Sequence, residues 1–140
     1  MEARAAGSEL LEHTADLGIR AWAPSMPEAF EHAARALIEV MGIGLRGSGR
    51  RRVVNVAACD EASLLVAFLN ELIWLHEAES VGFAELVVIA VSERDAIAEV
   101  ETVPLVAPPD GIGVKAATYH QVQVVHRPVA GTEVRVFLDV

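Results

Sequence analysis

The residues best suited to chemistry lie at the two ends of the chain. The segment LEHTADLGIR, residues 11–20, gathers four polar side chains in five positions, among them His13 and Asp16. The last three residues are LDV, so the Asp139 side chain lies beside the terminal carboxylate of Val140. Neighbouring carboxylates repel one another unless a cation lies between them or water screens them. Sites made only of oxygen ligands suit hard divalent cations such as calcium, magnesium and manganese.

The chemistry available to these carboxylates depends on whether the opening turn pairs with the last strand. If it does, Asp16 becomes a third anionic ligand and the two chain ends form one cation site. The alternative is a solvated terminus together with an aspartate that caps a turn. Charge spacing alone favours this alternative, because charged residues are mostly exposed and have no partner.

Three further residues have side chains with functional chemistry. His13 and His120 are candidate proton donors or ligands, although a half-buried, hydrogen-bonded histidine is more often structural. Lys115 is the only lysine in the chain and is either an anion contact or a solvated loop residue. The residue types alone do not assign a role to any of the three.

The composition limits the classes of partner. The formal net charge of -9 disfavours direct binding to a nucleic-acid backbone, which draws its affinity from Lys and Arg. The single cysteine, Cys59, cannot form an internal disulfide, which permits a reducing compartment. The first ten residues contain no apolar segment of signal-peptide length, and no run is long enough to span a membrane. We therefore expect a soluble, cytoplasmic protein.

The elements that would position these residues follow from hydrophobic periodicity and capping signals. A strand at 18–24 follows the opening turn. Ser25 is the predicted N-cap of a first helix that ends at Gly42, and Asp60 is the predicted N-cap of a second helix that ends near His76. The remaining predicted segments are an arginine-rich loop at 42–52, strands at 53–57, 83–91 and 96–103, an irregular stretch at 104–113, and strands at 117–126 and 132–140.

The predicted order is strand, strand, helix, strand, helix and then four strands that look hairpin-connected, and this order predicts an α+β fold. Residues 1–140 are expected to form a single domain, in which two amphipathic helices pack on one face of a mainly antiparallel sheet.

Four segments in a fixed order resemble the archease family. They are HTADLGIRAWAPSMPEAFEHAARAL, DEASLLVAFLNELIWL, VKAATYH and the terminal LDV, and together they extend from about Leu11 to Val140. The resemblance implies a small α+β accessory protein, not an enzyme, that assists a manganese- and GTP-dependent RNA ligase of the RtcB type. Such a protein promotes guanylylation and multiple turnover of the ligase in tRNA splicing or RNA repair, and meets RNA only indirectly through the ligase.

The resemblance also implies a metal site formed by Asp16, Asp139 and the terminal carboxylate of Val140. Calcium is the favoured cation, with magnesium and manganese as alternatives. His13, Lys115 and His120 match motif positions without a fixed role. The segment at 101–113 departs from the family pattern, so no metal or partner contact is assigned to it.

Two other classes of function remain open from the sequence. One is a metal-dependent phosphoesterase that uses Asp16 and Asp139 as ligands and His13 or His120 as acid or base. The other is a chaperone-like protein-binding module, which suits the small, acidic and apolar-rich chain. The identity of the metal and the oligomeric state are not predicted.

Overall fold

A computed structural model describes residues 6–13 and 16–140, with only the backbone described at residues 12 and 13. The elements follow the predicted order of strand, strand, helix, strand, helix and four strands. Their bounds are β1 Gly7–His13, β2 Asp16–Ala23, α1 Met26–Met41, β3 Arg50–Ala57, α2 Glu61–Glu79, β4 Val81–Val91, β5 Asp95–Pro104, β6 Ala116–Arg127 and β7 Gly131–Asp139.

The strands form two antiparallel sheets. The larger sheet has the order β1-β2-β7-β6, and the smaller has the order β3-β5-β4. The α+β class and the antiparallel pairing are confirmed, but the strands divide between two sheets where one was expected. Both helices contact strands of both sheets. The helices therefore bury apolar side chains on two sides, which a single sheet could not cover.

The two helices begin and end at recognisable capping residues. Ser25 and Asp60 accept hydrogen bonds from backbone amides of the first turns of α1 and α2, at 3.4 Å and 2.7 Å. Gly42 ends α1 as predicted, and it adopts the left-handed conformation common at helix C-termini. Helix α2 continues to Glu79, beyond the predicted end near His76, and ends where Ser80 adopts a left-handed conformation.

Helix α2 is buried around more of its circumference than a single apolar stripe requires. Leu64, Leu65 and Val66 are consecutive in sequence and all buried, so they point in different directions around the helix axis. This follows from the position of α2, which packs against β6 of the larger sheet and against all three strands of the smaller one.

The arginine-rich segment is partly a strand. Residues 50–52 were predicted as the end of a loop, but they are the first residues of β3, which pairs with β5. This strand lies at the edge of its sheet, and charged side chains on an edge strand discourage pairing with another chain. Within the described residues, no helix has the length and apolar character needed to cross a membrane.

Candidate metal centre at the end of the larger sheet

The strand register brings the two candidate aspartates together. Strands β2 and β7 are antiparallel, and Asp16 lies directly opposite Asp139. Directly opposed residues project from the same face of a sheet, with Cβ atoms about 4.5–5.5 Å apart. The pairing of β2 with β7 on which a shared cation site depends is therefore present at these two residues.

The end of β7 is held from both sides. Strand β7 lies between β2 and β6, and Asp139 is opposite Ala116 of β6 as well as Asp16. The amide of Lys115 donates a hydrogen bond of 2.8 Å to the Asp139 carbonyl oxygen. The backbone that carries Asp139 is thus fixed by its neighbours, which favours a defined position for its carboxylate.

A side chain of α2 fixes the adjoining start of β6. The Asn70 carboxamide accepts a hydrogen bond of 2.8 Å from the amide of Ala117 and donates one of 3.1 Å to its carbonyl oxygen. Asn70 was not among the predicted site residues. The signal for it is a carboxamide within the apolar run LLVAFLNELIWL, where a polar side chain needs a partner.

The opposed aspartates have no internal counter-charge. Within the described residues, neither Asp16 nor Asp139 forms an ion pair with a Lys, Arg or His side chain. Asp16 is half-buried, Asp139 is exposed, and Val140 beside it is 42% exposed. Two facing carboxylates that solvent can reach form an arrangement suited to a hard cation.

The described side chains alone do not complete a metal site here. Those of residues 6–11 and 16–140 contain no group of three His, Cys, Asp or Glu that could hold a metal ion. Two carboxylates fit a divalent cation in charge and in ligand type, but further oxygen ligands are needed. The family resemblance implies that one of these is the main-chain carboxylate of Val140.

The other predicted residues lie at different distances from the aspartates. The side chain of His13 lies outside the described part of the structure, although its backbone pairs with Asp16. Lys115 is exposed and lines a cavity of about 470 Å³ next to the end of β7. His120 is exposed on an irregular stretch of β6, and its ring meets that of Phe137 edge-on at 5.9 Å.

A glycine makes room for this aromatic contact. Gly18 is opposite Phe137, and a Cβ atom at Gly18 would lie 2.8 Å from the Phe137 ring and 2.9 Å from Leu11. No side chain fits there without displacing one of these neighbours. Gly18 therefore leaves room for the Phe137 ring beside β2, two residues from Asp139 in sequence, a role not predicted from the sequence.

Arg20, four residues after Asp16 on the same face of β2, carries a charge that nearby acids neutralise. The Arg20 guanidinium forms ion pairs with Glu9 at 2.6 Å and Glu133 at 2.9 Å, and it lies over the Trp22 ring. Hydrogen bonds to Glu133 and Glu9 raise the pKa of Arg20 further above its already high ordinary value. None of these partners was among the predicted functional residues.

Comparison with known proteins covers nearly the whole chain. A sequence model of the archease protein family matches residues 9–140. The chain is 32% identical over 139 residues to protein archease of Methanosarcina mazei, with 94% of each chain covered. It is 40% identical over 80 residues to protein archease of Thermococcus gammatolerans, with 56% of each chain covered.

Solved structures show the same fold. A protein of Methanobacterium thermoautotrophicum, solved in solution, is 27% identical with a TM-score of 0.75, covering 96% of this chain and 99% of that one. A crystal structure from Thermotoga maritima, described as an archease and possible chaperone, is 19% identical with a TM-score of 0.66. It covers 93% of this chain and 94% of that one, and at this identity the likeness concerns the fold alone.

Proposed function

The chain belongs to the archease family, and on this basis we propose that it is a cation-binding accessory protein of an RNA ligase. The ligase would be the manganese- and GTP-dependent enzyme of the RtcB type, and this protein would promote its guanylylation and multiple turnover. The setting would be tRNA splicing or RNA repair. RNA would be met through the ligase, because a net charge of -9 opposes direct binding to phosphates.

The observation that carries the proposal is the opposition of Asp16 and Asp139. Like charges directly opposite one another destabilise a sheet unless something compensates them. Within the described residues no basic side chain does so. An external divalent cation would provide that compensation and would make the acidic end of the sheet compatible with a second protein surface.

The proposed ligands are the side-chain carboxylates of Asp16 and Asp139 and the main-chain carboxylate of Val140. Calcium is the proposed cation, with magnesium and manganese as alternatives, because all three accept oxygen ligands. The hydrogen bond from Lys115 to the Asp139 carbonyl would keep the last strand in place while the cation binds. No catalytic role is assigned to His13, Lys115 or His120.

The proposal is tested by multiple-turnover RNA joining with the ligase of the same organism, manganese and GTP, at substoichiometric amounts of this protein. We expect the protein to restore turnover and Asp16→Asn to lose this effect. Asp95→Asn is the matched control, since Asp95 also begins a strand but lies opposite the uncharged Ala57. Normal stimulation by both Asp16→Asn and Asp139→Asn would refute the role of the carboxylate pair.

The terminal carboxylate is tested separately from the side chains. Deleting Val140 moves the main-chain carboxylate onto Asp139 and should weaken cation binding, whereas Val140→Ala keeps the carboxylate in place and should bind normally. Equal binding by these two variants would exclude this ligand and leave the two aspartates as the site.

The same preparations separate the other two classes of function. Phosphoesterase activity of the protein alone, lost in Asp16→Asn, would indicate a hydrolase. Suppression of aggregation of unrelated proteins by wild type and Asp16→Asn alike, without any effect on the ligase, would indicate a general chaperone. Stimulation of the ligase without either activity would support the accessory role.

A further inference from the structure

The larger sheet has one face that the helices do not cover. Along β7, Thr132, Val134, Val136 and Leu138 are buried, and the last three belong to the core cluster that contains the helices. The alternate residues Glu133, Arg135, Phe137 and Asp139 therefore project from the opposite face. We call this the open face, and it also carries Asp16, Gly18, Arg20 and Trp22 of β2.

Arg135 is the unusual residue on the open face. It is half-buried, and its Nε atom, like that of Arg20, is buried without a hydrogen-bond partner. No ion pair or hydrogen bond joins its guanidinium to another described residue. Partial burial of a charged group without a counter-charge is unfavourable, so this position is costly for folding alone.

Arg20 provides the comparison, since it lies directly opposite Arg135 in the register of β2 and β7. Its terminal nitrogens are occupied by Glu9 and Glu133, and Glu133 is also within 3.6 Å of Arg127. The acidic side chains near the centre of the open face are thus already engaged with other arginines. Arg135 keeps a planar set of donors that can accept a carboxylate in a bidentate arrangement.

The surroundings of Arg135 suit a protein interface. Phe137 lies next along the strand on the same face but is itself buried, with 4% of its surface exposed, and the exposed His120 lies against its ring. Arginine is enriched among the residues that dominate binding at protein interfaces. Arg135 is four residues from Asp139, roughly 13 Å at strand spacing. An ordinary interface of about 800 Å² per partner, roughly 30 Å across, would cover both.

We propose that the open face docks a partner protein and that Arg135 receives a carboxylate from that partner. The inference rests on the proposed accessory function, in which the partner is the ligase. A protein carboxylate fits better than a nucleic-acid phosphate backbone, because Glu9, Glu133 and the Asp16–Asp139 pair lie on the same face and would repel a chain of phosphates. A single carboxylate carries one charge and meets less of that repulsion than a chain of phosphates does.

The test is the dissociation constant of the complex between the full chain and the ligase of the same organism, measured at low and at physiological salt. Arg135→Gln should weaken binding at least tenfold, in the range of about 10 to 100, because the partner's carboxylate would be left without its counter-charge. Arg135→Lys should recover part of this loss, since it retains the charge but not the bidentate geometry.

Arg94 offers a matched control. It is an exposed arginine in the β4–β5 turn, and no ion pair joins its side chain to another described residue. Arg94→Gln should bind the ligase within about twofold of wild type, as expected for a charge outside the interface. Equal losses in Arg94→Gln and Arg135→Gln would indicate a general effect of net charge and would overturn the specific contact.

The unfolding midpoint separates a docking role from a structural one. Arg135→Gln should unfold at the same temperature as wild type or at a higher one, whereas Arg20→Gln should unfold at a lower temperature because it loses two partners. A large loss of stability in Arg135→Gln would show that Arg135 supports the fold and would overturn the inference.

The remaining outcomes distinguish this inference from the proposed function. Wild-type protein that stimulates and binds the ligase, with Arg135→Gln binding equally well, would overturn the contact and leave the accessory function intact. Wild-type protein that neither binds nor stimulates a competent ligase would overturn both. Binding of a labelled oligoribonucleotide to the protein alone, lost in Arg135→Gln, would assign the open face to RNA and overturn the protein partner.

Discussion

Strands β2 and β7 carry two pairs of like charges on one face. The two pairs differ in whether side chains of opposite charge contact them. Asp16 faces Asp139 at the end of the ladder, and Arg20 faces Arg135 four residues further along. The arginine pair has acidic neighbours, since Glu9 and Glu133 both bind Arg20. The aspartate pair has no basic partner among the described residues. The fold thus compensates Arg20 internally but leaves Arg135 without an acidic partner, and it leaves the aspartate pair open to an external cation.

The difference in burial explains why the fold tolerates an aspartate pair that has no counter-charge. The Arg20 side chain is only 20% exposed, so leaving it without an acid would carry a large desolvation cost. Asp139 is exposed at a strand end, where water screens its repulsion with Asp16. An uncompensated pair can therefore persist at the exposed end at little cost to folding, which makes it available for binding.

The largest expected effect concerns the cation. A ligand present at 100 times its dissociation constant stabilises the folded state by about 2.7 kcal/mol, roughly 5–10 °C in unfolding midpoint for a chain of this size. We expect calcium or manganese to raise the midpoint of wild type by this order and to have no effect on Asp139→Asn. Thermal unfolding with increasing amounts of each cation measures the difference.

Asp95→Asn is the control for this measurement, because it removes an aspartate from a strand end that has no facing acid. Its midpoint should rise with added cation as that of wild type does. If Asp139→Asn also kept the full rise, the proposed cation would bind elsewhere and the comparison between the two charge pairs would lose its functional meaning.

A second variant would make the arginine pair resemble the aspartate pair. Glu133→Gln removes the acid that lies 2.9 Å from Arg20 and 3.6 Å from Arg127, and Glu133 is itself only 16% exposed. The free energy of unfolding should fall by about 1–3 kcal/mol, because partly buried charges lose their counter-charge. Urea denaturation at neutral pH measures this.

Glu9→Gln provides the graded comparison for Glu133→Gln. Glu9 binds the same guanidinium from a side chain that is 46% exposed, so solvent screens the pair and the loss should stay below about 1 kcal/mol. Equal losses of unfolding free energy in the two variants would show that burial does not determine how much these ion pairs stabilise the fold.

The sequence predicts one of the two pairs and not the other. The Asp16–Asp139 pair could be anticipated because both residues lie at chain ends with distinctive polar segments, and the family resemblance joins them. The Arg20–Glu133 contact joins residues 113 positions apart, and nothing in their local sequence indicates that register. The sequence of a strand shows which face a charged residue occupies, but it does not show which residue of the neighbouring strand lies opposite.

The elements were likewise predicted better than their assembly. Capping residues and local periodicity specify the helices, which is why Ser25, Gly42 and Asp60 were correctly assigned. The division of the strands into two sheets depends on contacts that both helices make on two sides, and these become visible only in three dimensions. The role of Asn70 in fixing β6 has the same origin, because its partner is 47 positions away.

A smaller effect of opposite sign is expected for the aspartate pair without cation. In the presence of a chelator, Asp139→Asn should raise the free energy of unfolding by about 0.5 kcal/mol, because the repulsion between directly opposed like charges is removed. Urea denaturation at low ionic strength measures this. A loss of stability without cation would show that the Asp139 carboxylate is compensated within the fold.

The smallest effect concerns an acid of α2 that is paired with an arginine of the smaller sheet. Glu79, at the end of α2, binds both terminal nitrogens of Arg52 in β3, and this hydrogen-bonded pairing lowers the pKa of Glu79 below its ordinary value. A carboxylate whose pKa is lower in the folded state stabilises the fold above its unfolded pKa, and that contribution is lost as the pH falls through the folded pKa.

Wild type should therefore lose slightly more stability than Glu79→Gln when the pH falls from neutral to below the lowered pKa. The urea midpoint of each protein at neutral and acidic pH gives this difference. Glu77→Gln is the control, because Glu77 is an exposed acid of the same helix that has no ion pair among the described residues. If Glu79→Gln and Glu77→Gln changed with pH in the same way, the Arg52 pair would contribute nothing. Internal compensation would then matter only where burial is substantial, as at Glu133.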